Sequence, residues 1–350
     1  MNRNTRHFLT AGVLVVVATY LVHLLLHAIY ILPQAASSQA GPIDQLFAAH
    51  FWLISFLFSL VVVFMGYAIF VFRRKPGEEG EGEYTHGNTT LEVTWTVLPL
   101  MLVIGFGVWG SQVLINITAP APNEMVIKVI GQQWDWSFEY PEQKGVKSNE
   151  LVLPINQPVR LEMQALDVLH SFWLPEFRVK QDLVPGRTTI LRITPTQTGN
   201  FELRCAEICG MSHSGMRRPV RVVSSAEFDA WVLAAQQLPG DPVARGAIWY
   251  EQFGCSGCHS LDGSVKAGPT WKGLYQNQQV LTDGSSVTAD DEYIRTSINN
   301  PALQIVAGYP ANIMPANFAA QFQVIQSDYA GQGVDVNILE ELLAYIKTIQ

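Results

Sequence analysis

Cys205-Ala-Glu-Ile-Cys209-Gly-Met-Ser-His213-Ser-Gly-Met216 packs two thiols, one imidazole, two thioethers and one carboxylate into twelve residues. His170 stands upstream in Asp167-Val-Leu-His-Ser-Phe-Trp-Leu-Pro-Glu-Phe177. Soft sulfur combined with imidazole selects copper or zinc over hard cations. Around this stretch apolar residues recur with a period of two, in short runs at 126–130, 134–140, 158–165, 187–195, 200–205 and 219–223. Pro, Gly and Asn turns separate them. This pattern predicts a compact all-β domain, a sandwich or barrel, with the ligand cluster in a loop between two strands. Trp134 and Trp136 fall on one strand face, where an aromatic core pair is expected.

Working outward towards the N-terminus, Phe8 to Leu32, Leu46 to Phe72 and Val93 to Ile117 each run without a charged side chain. Each is long enough to cross ~30 Å of hydrocarbon as a helix. Arg3 and Arg6 precede the first span and Arg73, Arg74 and Lys75 follow the second, whereas 33–45 holds no Lys or Arg. The positive-inside rule then puts the N-terminus and second loop in the cytoplasm and exports 118–350. A signal peptide cut after Ala40 would leave the rest of this topology unchanged, but the apolar core is longer than such peptides carry. His23 and His27, at i and i+4, read as polar packing on a helix face, as does His50. Glu92 opens the third span. There it complements the helix dipole, a local account that competes with a proton-entry role.

Towards the C-terminus, Ser224 and Glu227 form a capping box for a short helix, and Leu238-Pro-Gly-Asp-Pro242 breaks the chain. Asp241 and Pro242 restart a helix as N-cap and first residue. Further helices are expected at 289–299 and from Asp335, where Ile338, Leu339, Leu342, Leu343, Ile346 and Ile349 make an apolar stripe. Long Gly-, Pro- and Asn-rich stretches lie between them. Residues 119–240 carry 13 acidic and 12 basic side chains, while 241–350 carry 11 and 5. Neither part offers a basic surface for nucleic acid, and the acidic tail favours a basic partner or a docked complex.

Cys255-Ser-Gly-Cys258-His259 is a CxxCH run, the attachment pattern of a c-type haem. Two thiols at this spacing can add to the two vinyl groups, with His259 as proximal ligand. Met314 is the sole methionine after Cys258, so it is the expected sixth ligand. Gly268 and Pro269 are candidates for fixing the His259 ring.

The first cluster admits several readings. A mononuclear blue-copper centre would use His170, Cys209, His213 and Met216 and leave Cys205 surplus. With Cys205 as a second bridging thiolate, two copper ions could each take one imidazole and one weak ligand. A Cys2His2 zinc site would leave Met216 and Glu207 without a role. All four cysteines could instead close two small disulfide loops, but the neighbouring His and Met residues favour ligation.

Leu91-Glu-Val-Thr-Trp-Thr-Val-Leu-Pro99, Gly131-Gln-Gln-Trp-Asp-Trp-Ser-Phe-Glu-Tyr-Pro141, the His170 segment, Asp182-Leu-Val-Pro-Gly-Arg187 and 204–216 together resemble subunit II of the haem-copper cytochrome c oxidases. The resemblance covers about 45–223. Residues 241–350 resemble a class I cytochrome c, fused as in caa-type oxidases, and the first helix is an addition to the usual helix pair. The implied fold is transmembrane helices, a cupredoxin-like Greek-key barrel, then an all-α cytochrome c domain. The divisions are 1–44 (extra helix), 45–118 (helix pair), 119–223 (CuA domain), 224–240 (helix and linker) and 241–350.

The resemblance implies that Cys205 and Cys209 bridge a binuclear CuA centre, that His170 and His213 each bind one copper, and that Met216 and the Glu207 carbonyl are weak ligands. The Glu207 carboxylate would face a magnesium ion shared with the catalytic subunit, Trp134 would lie on the electron route into CuA, and Glu92 would match a proton-path mouth. Haem c would be held by Cys255, Cys258, His259 and Met314. The expected function is electron input to a proton-pumping oxidase: haem c to CuA to a haem-copper subunit I that reduces oxygen to water. Other oxidase subunits would be partners, and the donor would be a soluble cytochrome or a quinol-oxidising complex. The alternatives are a nitric-oxide-reducing complex and a membrane-tethered copper carrier. The oxygen site itself requires another chain, because the membrane histidines here are too few.

Overall fold

The computed structural model describes residues 3–29, 32–74, 76–77, 84, 86–331 and 334–350. Tyr30, Ile31, Lys75 and most of the Gly-rich acidic loop before Asn88 lie outside that range. The chain divides into two units, 1–119 and 120–350.

Three helices make the first unit: α1 (Arg3–Ile29), α2 (Ala40–Val71) and α3 (Thr89–Thr118). All three are long and apolar enough to cross a membrane. All three begin before the charge-free spans, and α3 is closed at its start by a polar side-chain cap. Asn88 accepts the Leu91 amide at 3.1 Å, and Glu92 folds back to accept the Asn88 amide at 3.3 Å. α1 packs on α2 through polar and aromatic groups. His7 Nδ1 lies 2.8 Å from the Tyr67 hydroxyl, and the buried His23 ring stacks on Trp52 with centroids 3.6 Å apart. His50 Nδ1 lies 2.7 Å from the Leu46 carbonyl oxygen.

The second unit opens with ten strands: β1 (Met125–Gln132), β2 (Asp135–Tyr140), β3 (Val146–Ser148), β4 (Leu151–Pro154), β5 (Val159–Ala165), β6 (His170–Leu174), β7 (Val179–Leu183), β8 (Thr189–Ile193), β9 (Gly199–Cys205) and β10 (Arg217–Val223). They form two five-stranded sheets, ordered β3-β2-β1-β5-β8 and β4-β10-β9-β6-β7. β1 pairs with β5 in parallel, as β10 does with β4, and the remaining pairs are antiparallel. Alternation sets the core. Ile127, Val129, Trp136, Phe138, Leu161 and Met163 from one sheet, and Leu151, Leu153, Phe172, Leu174, Leu203 and Val220 from the other, are all fully buried or nearly so. Trp136 and Phe172 meet edge to face across the sheets, with centroids 6.1 Å apart. This cupredoxin-like domain is followed by α4 (Ser225–Ala235), opened by the Ser224–Glu227 capping box.

The remainder holds α5 (Pro242–Gln252), the single turn α6 (Cys255–Cys258), the strands β11 (Gln278–Val280) and β12 (Ser286–Thr288), and then α7 (Asp291–Asn299), α8 (Phe318–Ala330) and α9 (Ile338–Ile346). β11 and β12 form an antiparallel hairpin, so this part is not purely helical. The hairpin turns at Asp283-Gly284, where Gly284 has φ +82°, a conformation open to glycine. α8 arises within a stretch that the sequence reading leaves as loop. Asn317 makes no side-chain cap there, yet Phe318, Phe322, Ile325 and Tyr329 share a face that packs into the core.

Gly246 marks the crossing of α5 and α9. A Cβ at this position would overlap the Glu341 carbonyl oxygen and sit 2.6 Å from Tyr345 Cβ. The buried Glu341 carboxylate is satisfied there by Arg245 Nε at 2.9 Å and Trp249 Nε1 at 2.6 Å. Gly246→Ala should therefore destabilise the helical part by about 1–3 kcal/mol through overpacking. Gly240→Ala, with nothing within 4 Å of the added methyl, should change little. Chemical denaturation of the full chain, followed by tryptophan fluorescence, distinguishes the two.

Candidate functional site

The loop between β9 and β10 is closed at its neck by the Cys205 amide, which donates to the Met216 carbonyl at 3.1 Å. Cys205 ends one strand and Met216 immediately precedes the next. Between them Gly210 adopts φ +117° and lies flat against β1–β2, where a Cβ would come within 2.9 Å of Gln133 Nε2 and 3.0 Å of Trp134 Cζ2. That close approach lets Gln133 Nε2 and Trp134 Nε1 both donate to the Cys209 carbonyl, at 2.7 and 3.1 Å. The Ala206 amide is held by the Ser171 carbonyl at 2.9 Å, tying the loop to β6 beside His170.

These constraints bring six groups together. The Sγ atoms of Cys205 and Cys209 are 3.8 Å apart. His170 Nδ1 lies 3.9 Å from Cys205 Sγ, and His213 Nδ1 lies 3.5 Å from Cys209 Sγ. Met216 Sδ is 3.7 Å from Cys209 Sγ, and the Glu207 carbonyl oxygen is 3.3 Å from Cys205 Sγ. The ligating atoms of His170, Cys205 and Cys209 all lie within 4.8 Å of one another. Two thiols side by side, flanked by one imidazole and one weaker donor each, are a set that two soft ions can share. His170 and Met216 are fully buried and Cys209 is 2% exposed, whereas the Glu207 side chain points to solvent.

Asp167 completes the site and is absent from the sequence-based ligand set. Its Oδ1 lies 2.8 Å from His170 Nε2, and its Oδ2 accepts the Gln133 amide at 2.7 Å. The bond fixes the ring and turns Nδ1 towards the thiols, as carboxylates do behind metal-binding histidines. The readable signal was an acidic residue three positions before the histidine. Burial opposes charge on His170, but Asp167 and Cys205 outweigh it and raise the ring to about 9. Burial likewise opposes the Cys205 thiolate, yet His170 and nearby backbone groups bring it down to about 6, while burial and the Cys205 charge push Cys209 up to about 12.

The CxxCH segment forms a second locus. All four cysteines are free thiols, and none is paired in a disulfide. His259 Nδ1 donates to the Pro269 carbonyl at 2.6 Å, which leaves the Nε2 lone pair of the neutral ring available for a metal. Gly268 makes room for this ring, since a Cβ there would lie 2.7 Å from His259 Cε1. Burial lowers the His259 pKa and so favours the neutral form. Met314 is half-buried against the core formed by Trp249, Phe253 and Leu343. The thiols, the oriented imidazole and the glycine cradle fit a covalently attached haem.

Trp134 connects the two loci. Its indole touches the Cys209 carbonyl, and its own carbonyl oxygen would lie 3.0 Å from a Cβ on Gly257, between Cys255 and Cys258. Glu92 belongs to the first unit, as an exposed residue in the opening turn of α3.

The family profile "Cytochrome C oxidase subunit II, periplasmic domain" matches residues 146–224, and its transmembrane counterpart matches 25–113. A cytochrome c oxidase subunit 2 of Alkalihalophilus pseudofirmus is 32% identical, over 75% of this chain and 79% of the relative. The chain belongs to the cytochrome c oxidase subunit II family. A subunit 2 of Thermostichus vulcanus is 31% identical over 67% of this chain and 86% of its own. The solved periplasmic domain of subunit II from Bradyrhizobium japonicum is 34% identical, covers 34% of this chain and 96% of its own, and has a TM-score of 0.32.

A soft cation entering this subunit II site must displace the proton on His170 below pH about 9 and the proton on Cys209 below pH about 12, while Cys205 is already a thiolate above about 6. Uptake between pH 7 and 9 thus releases two protons from these three groups. Copper affinity should rise roughly hundredfold per pH unit in that window, a slope that chelator competition measures.

Proposed function

We propose that this chain is the electron-input subunit of a proton-pumping, oxygen-reducing haem-copper oxidase, with a binuclear CuA centre in its β domain and a covalent haem c in a fused cytochrome c domain. The observation that carries the copper assignment is the meeting of six donors around a pair of adjacent thiols. Cys205, Cys209, His170, His213, Met216 and the Glu207 carbonyl would together hold the copper pair. The exposed Glu207 carboxylate is then free for a magnesium ion at the border with subunit I. When bound, the copper pair and the haem supply one-electron redox centres.

The chain's own residues do the positioning. Asp167 holds the His170 tautomer, Gly210 lets the loop lie on Trp134, and Trp134 spans the gap between the copper loop and the CxxCH turn. Pro269 and Gly268 orient His259, and Met314 would be the second haem ligand, a ligand type that raises the haem potential. The three apolar helices anchor the unit with the N-terminus in the cytoplasm and both redox domains outside, as the Arg3, Arg6, Arg73 and Arg74 flanks direct. The divisions near 44, 118, 223 and 240 follow the same reading. Glu92 at the cytoplasmic end of α3 is assigned the mouth of a proton path, and the acidic 241–350 segment the docking of a basic soluble cytochrome or a quinol-oxidising complex.

The purified complex should show a seven-line copper hyperfine pattern in electron paramagnetic resonance and haem that survives acid-acetone extraction. A four-line pattern or an extractable haem would sink the reading. Met314→Leu should keep the haem attached but lower its midpoint potential, which redox titration checks. Oxygen consumption without nitric oxide turnover separates the proposed acceptor from its alternative.

A further inference from the structure

We propose that Arg218 is a positioning residue that clamps the Cys255–Cys258 turn onto Trp134 and so fixes the separation of the two redox loci; this rests on the reading of both loci given above. Arg218 lies on β10, two residues beyond Met216. Its guanidinium forks onto Asp135, with Nε to Oδ1 at 2.6 Å and Nη2 to Oδ2 at 2.7 Å. The same group reaches across to the helical part, with Nη1 to Glu251 Oε2 at 2.8 Å and Nη2 to Ser256 Oγ at 2.6 Å. Ser256 Oγ closes the network by donating to Glu251 Oε2 at 3.0 Å.

Three features separate this from an ordinary surface ion pair. The first is position: Asp135 follows Trp134 directly, and Ser256 sits between the two cysteines. Burial is the second, since the Asp135 and Arg218 side chains are 6% and 14% exposed, where a bidentate pair keeps its strength and its geometry. The third is backbone contact. A Cβ on Gly254 would lie 3.0 Å from Asp135 Oδ2, and one on Gly257 3.0 Å from the Trp134 carbonyl oxygen, so the turn is seated directly on the strand. The linker is also held, because Arg245 Nη1 donates to the carbonyls of Pro239 and Gly240 at 3.0 and 3.1 Å.

A tethered domain without such a clamp would find Trp134 by diffusion on its linker. With the clamp, the CxxCH turn, Trp134 and the Cys209 carbonyl form one contiguous stack in a single geometry. The hydrogen bonds of Arg218 go to Asp135, Glu251 and Ser256 and not to either set of proposed ligands. Its effect is on the distance between them.

The test uses the full chain in its assembled oxidase, comparing wild type with Arg218→Gln, Arg218→Lys and Ser256→Ala. Amide hydrogen exchange at 254–258 should rise at least tenfold in Arg218→Gln. Electron exchange between haem and copper, followed after flash photoreduction, should slow at least tenfold while the copper and haem spectra stay those of wild type. Arg218→Lys should recover part of both effects. Ser256→Ala leaves the Arg218–Asp135 pair intact and should shift both readouts in the same direction by about threefold, so it carries the test from the other side if Arg218→Gln does not fold. Unchanged exchange and unchanged intersite rate in either folded variant overturn the clamp. Wild type lacking haem or binuclear copper signals overturns the underlying reading instead, and the exchange arm still decides the clamp.

Discussion

The hydrogen bond from the Cys205 amide to the Met216 carbonyl makes the site possible. It converts the segment between β9 and β10 into a closed loop whose two ends are fixed by sheet pairing, since Arg217 already pairs with Arg204. Loop residues otherwise spend conformational entropy on every ordered side chain. Here the sheet absorbs most of that cost, and the remaining freedom is removed by Gln133 and Trp134 holding the Cys209 carbonyl. His170 comes from β6, which pairs with β9 through Phe172 and Cys205, so the imidazole reaches the thiols along a ladder rather than across a gap. Every donor of the cluster is thus fixed by backbone hydrogen bonding close to it.

Electrostatics within the cluster follow from that geometry. Two thiols 3.8 Å apart in a buried place cannot both ionise readily without a cation. The protein settles this by letting Cys205 share the charge of His170 and leaving the proton on Cys209. Asp167 supplies the counter-charge behind the ring. Buried sulfur and a carboxylate facing one imidazole make the site receptive to positive charge, so the acidic residue behind the histidine matters as much as the sulfur in front of it.

Much of this was legible in the sequence because the ligands crowd into twelve residues and the strands alternate cleanly. The contribution of His170 was legible through its residue type and through the resemblance that 167–177 carries, since no local pattern links it to a loop 35 residues away. Asp167 carried a signal in its spacing from His170. Arg218 carried none, because its partners Asp135 and Ser256 are remote in sequence and meet only once two parts of the chain have packed. α8 was obscured by the Pro- and Asn-rich run before it and by the lack of a side-chain cap, although its apolar stripe at 318, 322, 325 and 329 follows helical spacing. The β11–β12 hairpin was hidden because its Asp-Gly turn lies between strands of only three residues.

Charge decides what kind of contact can join the β and helical parts. Residues 119–240 and 241–350 are both net negative, with 13 acids against 12 bases and 11 against 5. Long-range attraction therefore cannot draw them together, and charges on their surfaces are screened beyond about 8 Å in physiological salt. What holds them must act at contact distance. A single guanidinium shared among Asp135, Glu251 and Ser256 does so, with two glycines removing the side chains that would keep the backbones apart. Such a contact is indifferent to the overall acidity of the helical part, so its outer surface can be strongly acidic without loosening the seat of the CxxCH turn.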